Sequence, residues 1–189
     1  MMMDSIPPDS PFARLSSEER LMALGPGRPN EAARPLLDAL ESPSAFAPHS
    51  ITDRAMARAC LAGIWLYHDF LDESHRISQD IATPTGSYWH GILHRREPDS
   101  WNSKYWFDRV GRHPVFPALC EQARALAADD NAPDTRFLRE QREWHAPRFI
   151  DLCEAARLGQ TPADELCRRI QLAEWRLLFE YCYRHAIAA

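Results

Sequence analysis

Lysine is nearly missing from this chain: Lys104 stands alone among 22 basic residues. An arginine-only surface reflects genome base composition first, so no function is read from it. Basic excess is missing as well. The net charge of -5 and pI near 5.9 argue against a general nucleic-acid partner, which selects a positive balance. No C-x-x-C pair occurs, and the five cysteines (Cys60, Cys120, Cys153, Cys167, Cys182) are odd in number and far apart. That excludes a zinc knuckle or a disulfide framework and reads as small buried apolar residues in a reducing compartment. No apolar run approaches the roughly 20 residues that span a bilayer. No basic stretch followed by an apolar core opens the chain, so the sequence predicts a cytoplasmic protein with no membrane partner. Dinucleotide-binding glycine motifs, a Walker A loop, a nucleophile elbow and an EF-hand loop are also absent.

What is present fits one globular domain. The chain has 189 residues, of which 45% are apolar and 26% charged, ordinary values for a packed protein. A chain of this size buries roughly 70% of its unfolded surface and needs no metal or disulfide simply to fold. Period-two alternation over strand lengths is absent, and helical spacing recurs, so the fold expected is all-α. Residues 1–15, with Pro7, Pro8 and Pro11, read as an irregular arm, and 16–189 as a single all-α domain. Ser16 and Glu19 form a capping-box pattern for a helix over about 17–24, ended by Gly25-Pro26-Gly27. A second helix follows Asn30. A central helix is expected over about 53–76, apolar nearly all round between Ala57 and Tyr67, which marks burial on most sides. Residues 80–87 read as a loop with Ser87 as N-cap of a helix over 88–96. Asn102 and Gly111 bracket another over 103–110, and further helices fit 117–128, 134–158 with a break at Pro147, and 162–186. Exposed faces of the last helix suit a homodimer without requiring one.

Five of the eight histidines fall between positions 68 and 113. His68, Asp72 and His75 are spaced i, i+4, i+7, and so are His90, His94 and Glu97. On a helix each triplet spans about 60° of circumference and lines one stripe. Two neighbouring helices offering such stripes can hold one or two metal ions, with Zn, Fe or Mn accepting these nitrogen and oxygen donors. The chemistry implied is hydrolysis or oxidation of a small molecule. His68, His75, His90 and His94 are the expected ligands, with Asp72 or Glu97 as ligand or general base. The residues between His90 and His94 are Gly91-Ile92-Leu93, so the glutamate of H-E-x-x-H metalloproteases is missing and that reading is excluded. His49 with His68-Asp69 is faintly similar to the H…HD…D pattern of helical phosphohydrolases, but no downstream aspartate completes it. Against all of these stands a plainer reading, a buried hydrogen-bond network in a non-catalytic binding or interaction protein.

The segment 87–116 also concentrates aromatic and basic residues. Arg95, Arg96, Lys104, Arg109 and Arg112 lie near Trp101, Tyr105 and Trp106. Guanidinium forks hold phosphate or carboxylate, and aromatic faces hold a ring. A small anionic molecule is therefore the expected ligand, oriented by Arg95, Arg96, Asn102 and Lys104. The alternative is that the rings fill the core and the arginines pair with Glu97, Asp99 and Asp108.

The run Tyr88-Trp89-His90-Gly91, His94-Arg95-Arg96-Glu97-Pro98-Asp99, Asn102, Lys104-Tyr105-Trp106-Phe107, Val110-Gly111 and His113-Pro114-Val115 resembles a bacterial and fungal family to which no activity is assigned. Trp65 to His75 looks like part of the same pattern. The resemblance covers about a third of the chain and implies no substrate, cofactor or mechanism.

Overall fold

Proline sets where many of the helices begin. Pro11, Pro35, Pro84, Pro117 and Pro147 each sit at the first or second position of a helix, where the missing N–H has no helical partner to lose. The computed structural model describes residues 5–187; the first four residues of the expected arm and the last two of the domain lie outside that range. Among the described residues there are ten α-helices and no strand: α1 (Pro11–Leu15), α2 (Arg34–Asp38), α3 (Arg54–Tyr67), α4 (Leu71–Ser78), α5 (Pro84–Arg96), α6 (Ser100–Val110), α7 (Phe116–Leu126), α8 (Arg136–Glu140), α9 (Ala146–Arg157) and α10 (Asp164–Ile187). The all-α expectation holds. No helix among the described residues is long and apolar enough to cross a membrane.

The core forms where α3, α5 and α10 meet. Side chains of α5 from Thr85 to Arg96 are buried throughout. Trp175 of α10 donates its indole N–H to the Gly63 carbonyl of α3 at 2.7 Å, and Trp89 of α5 reaches Cys182 of α10 at 3.4 Å. Helix α6 lies close against α5 because Gly91 has no side chain. A Cβ there would sit 2.8 Å from the Phe107 ring, nearer than real carbons approach. Ser103 donates to the Gly91 carbonyl at 2.8 Å across the same contact. All five cysteines are buried free thiols.

Several expectations need correction. The central helix over 53–76 is two helices. It stops at Tyr67, and Asp69 takes a left-handed conformation with φ 65°. Aspartate tolerates this region better than most residues, and the Asp69 carboxylate is held there by two arginines, Arg20 at 3.0 Å and the buried Arg96. The turn sends α4 off in a new direction, so His68 and His75 share no stripe.

The expected helix over 17–24 is not helical. Ser16 instead closes α1, which forms inside the segment read as an irregular arm and buries Phe12 and Leu15. Residues 17–30 run as a strap whose carbonyls are claimed by side chains: Arg168 takes Leu21 and Met22, Gln171 takes Met22 and Ala23, and Arg96 takes Ala23. The loop over 80–87 and the Ser87 cap also give way. Helix α5 begins at Pro84, capped by the Thr83 hydroxyl on the Gly86 N–H at 3.1 Å. Likewise Asp99, not Asn102, caps α6, with Gly111 at φ 61° ending it.

Candidate metal centre

The chain break at Asp69 gives α4 the angle that brings His75 against α5. There it meets His90 and His94, one turn apart on α5, and the metal-competent atoms of the three rings lie within 4.8 Å of one another. Ring centroids are 4.6 Å apart for His75–His90, 4.7 Å for His90–His94 and 5.3 Å for His75–His94. Glu97 caps α5 and stays on the same stripe because its N–H still bonds the Leu93 carbonyl.

An oxygen faces Nδ1 of each ring. Ser78 Oγ lies 3.0 Å from His90 Nδ1 and also donates to the His75 carbonyl at 3.3 Å, an arrangement in which it can accept from the ring. Glu97, acceptor-only when ionised, faces His94 Nδ1 at 3.0 Å and His75 Nδ1 at 3.5 Å. With the hydrogen of each ring on Nδ1, the tautomer these oxygens suit, the three Nε2 atoms are left with their lone pairs. The Asn102 amide closes over His94, its Nδ2 3.1 Å from Nε2.

Electrostatics agree with a neutral His90. His90 is buried, 2% exposed, and burial pushes its pKa down to about 4, with His94 and His75 adding to the effect and Glu97 opposing it. The hydrogen bond from His94 holds the Glu97 carboxyl below the usual range despite partial burial. The cluster is not sealed. The side chains of His75 and Glu97 are 34% and 27% exposed, which gives an entry path.

The other expected site residues lie elsewhere. His68 is buried under the N-terminal strap, its Nε2 on the Leu15 carbonyl at 3.0 Å and its Nδ1 near the Asn30 amide at 3.1 Å. Asp72 is exposed on α4 and takes no part in the cluster. Arg95 is buried against α10, bonded to Glu174 at 2.5 Å and Gln171 at 3.3 Å, with its guanidinium over the Phe149 ring. Arg96 is fully buried and binds the Leu66 carbonyl, the Ala23 carbonyl and Asp69. Lys104 pairs with Asp151 of α9 at 2.5 Å, across α6 from the histidines. None of these three cations faces the cluster. Sequence reasoning missed Ser78, whose i, i+3 spacing from His75 was available, and it named Trp106 as an aromatic face without its contact on the His90 ring, with centroids 4.2 Å apart.

No family model, curated protein or solved structure matches this chain.

Proposed function

We propose that His75, His90 and His94 bind one divalent transition metal through Nε2, and that the protein is a small-molecule hydrolase. Three neutral imidazoles with an open fourth position are the ligand set of catalytic zinc, whereas Fe and Mn favour more oxygen donors. The observation that carries this reading is the anchoring of all three Nδ1 atoms, on Glu97 twice and on Ser78 once. Such oxygens orient metal-ligating histidines and raise their basicity. A tetrahedral zinc needs its ligand nitrogens roughly 3.3 Å apart; one nitrogen from each ring already lies within 4.8 Å of the others, so the rings must draw closer to hold the ion. Held by His75, His90 and His94, a zinc ion would supply Lewis-acid activation of water for hydrolysis. Glu97 orients two ligands from the Nδ1 side and stands at the mouth. The five buried thiols suit a reducing compartment, the cytoplasm.

The competing reading is a metal-free network, favoured by the Asn102 amide that already occupies His94 Nε2. Elemental analysis of protein purified without chelator separates the two. One zinc per chain, lost in His90→Ala and His94→Ala, is the expected result. A native protein that takes up neither Zn, Fe nor Mn when each is offered would leave only the network.

A further inference from the structure

Trp106 is a wall with two sides. One packs on His90. The other lines a cavity of about 480 Å³ between the start of α5 and the end of α6, where Gln79, Thr83, Ser87 and Arg109 also face. We propose that this cavity is the substrate's recognition pocket and takes a flat aromatic ring bearing a phosphate or carboxylate. The proposal rests on the histidine cluster for the reaction that follows, but not for binding.

Three independent features point to an anion. Arg109 has no carboxylate partner among the described residues; its guanidinium lies 5.5 Å from the Trp106 ring centroid and 5.7 Å from that of Tyr105, and one N–H reaches the Tyr105 hydroxyl at 3.4 Å. The rest of its fork remains to clamp two oxygens. Ser87 is buried, 7% exposed, and lines the cavity, where its hydroxyl can donate to a ligand oxygen. The Thr83 hydroxyl accepts from Gly86 and keeps its own proton to donate. Thr83 and Ser87 also sit at the positive end of α5, a helix of 13 residues.

The ring follows from the wall. Trp106 presents an indole to the cavity, and Tyr105 and Trp101 continue the aromatic surface outward, stacked at 6.2 Å with planes 10° apart and Trp101 77% exposed. Stacking with an offset or tilted ring adds about 0.5–1.5 kcal/mol beyond burial. This pocket moves the expected anion contact from Arg95, Arg96 and Lys104, which the fold occupies, to Arg109.

Isothermal titration calorimetry with phenyl phosphate, benzoate, inorganic phosphate and phenol tests the proposal, using both chelator-treated and zinc-loaded protein. At least one of the two ring-bearing anions binds in both forms, tenfold or more tighter than inorganic phosphate or phenol. Whichever binds shows the anion preferred. Arg109→Ala, an exposed position, weakens that binding at least tenfold. Arg112→Ala, which removes a guanidinium facing a different cavity, leaves it unchanged. No binding of either ring-bearing anion at millimolar concentration overturns the proposal, and so does binding that Arg109→Ala leaves intact. If no metal is ever taken up yet Arg109-dependent binding persists, the pocket stands and the metal reading falls.

Discussion

His94-Arg95-Arg96-Glu97 is one run of four ionisable residues at the end of one helix, yet it divides between two environments. His94 and Glu97, three apart, face α4 and an opening to solvent, and they belong to the histidine cluster. Arg95 and Arg96, rotated onward by 100° and 200°, point into the core, where Glu174 and Asp69 neutralise them. The cations that look most like substrate ligands in the sequence are the fixed ones. The lesson is that a charge in a helical run is free for a ligand only if no partner within the fold already satisfies it.

Breaking the buried half costs most. Arg96→Ala removes an ion pair and two carbonyl contacts that tie α3, the strap and α5 together, leaving the buried Asp69 with Arg20 as its one remaining arginine. A loss of about 3–5 kcal/mol is expected, read from urea unfolding, and a loss below about 1 kcal/mol would contradict the role given to Arg96. By the same logic Arg95→Met with Glu174→Leu costs less than Arg95→Met alone, because no lone charge remains.

The open half responds in a different quantity. Glu97→Gln leaves stability nearly unchanged but weakens zinc affinity 10- to 100-fold, since the carboxylate holding two imidazoles becomes neutral. Competition with a chelating dye measures this, and an unchanged affinity would detach Glu97 from the site.

Acid sharpens the comparison further. His90 is held at about 4 chiefly by burial. His113 is also held at about 4, again by burial first and then by His185. The His113 Nδ1 accepts the Val115 N–H at 3.2 Å and its Nε2 faces the Thr85 hydroxyl at 3.2 Å, which fixes a neutral ring. Both folded values lie below the ordinary 6.5. The unfolded chain therefore binds more protons between about pH 6.5 and 4. The stability these rings contribute is complete above that window and is lost as pH falls through it, by up to about 1.4 kcal/mol per pH unit for each ring. Urea unfolding of metal-free protein at pH 7, 6 and 5 gives the slope, and His113→Gln reduces it. A slope of zero in the unmodified protein would mean that neither ring is neutral because of burial.

The smallest effect belongs to Lys104. Its pair with Asp151 joins side chains 37% and 61% exposed, so Lys104→Ala changes stability by about 0.5 kcal/mol or less. Neither zinc nor phenyl phosphate binding shifts in that variant; a shift in either would return Lys104 to the site.

The sequence patterns carried some of this and not the rest, for physical reasons. The fold class, α7 and α10 were legible because apolar periodicity and Pro or Gly stops are local signals. So was the His90, His94, Glu97 stripe, which one continuous helix keeps on one face. The break at Asp69 was not, because its left-handed turn is held by Arg20 and Arg96, 49 and 27 residues away. With that break unseen, His68 looked like a partner of His75. The capping box at Ser16 failed for a related reason. Glu19 pairs with Arg176 of α10 and the strap's carbonyls bond to distant side chains, a competition no local pattern reveals.

The most direct test of the central claim is a cobalt(II) titration of metal-free protein followed by visible absorption. An intense tetrahedral-type band with an end point at one ion per chain is predicted, abolished in His94→Ala and retained in His68→Ala. Absence of the band, or its loss in His68→Ala with the fold intact, would contradict a centre built from His75, His90 and His94.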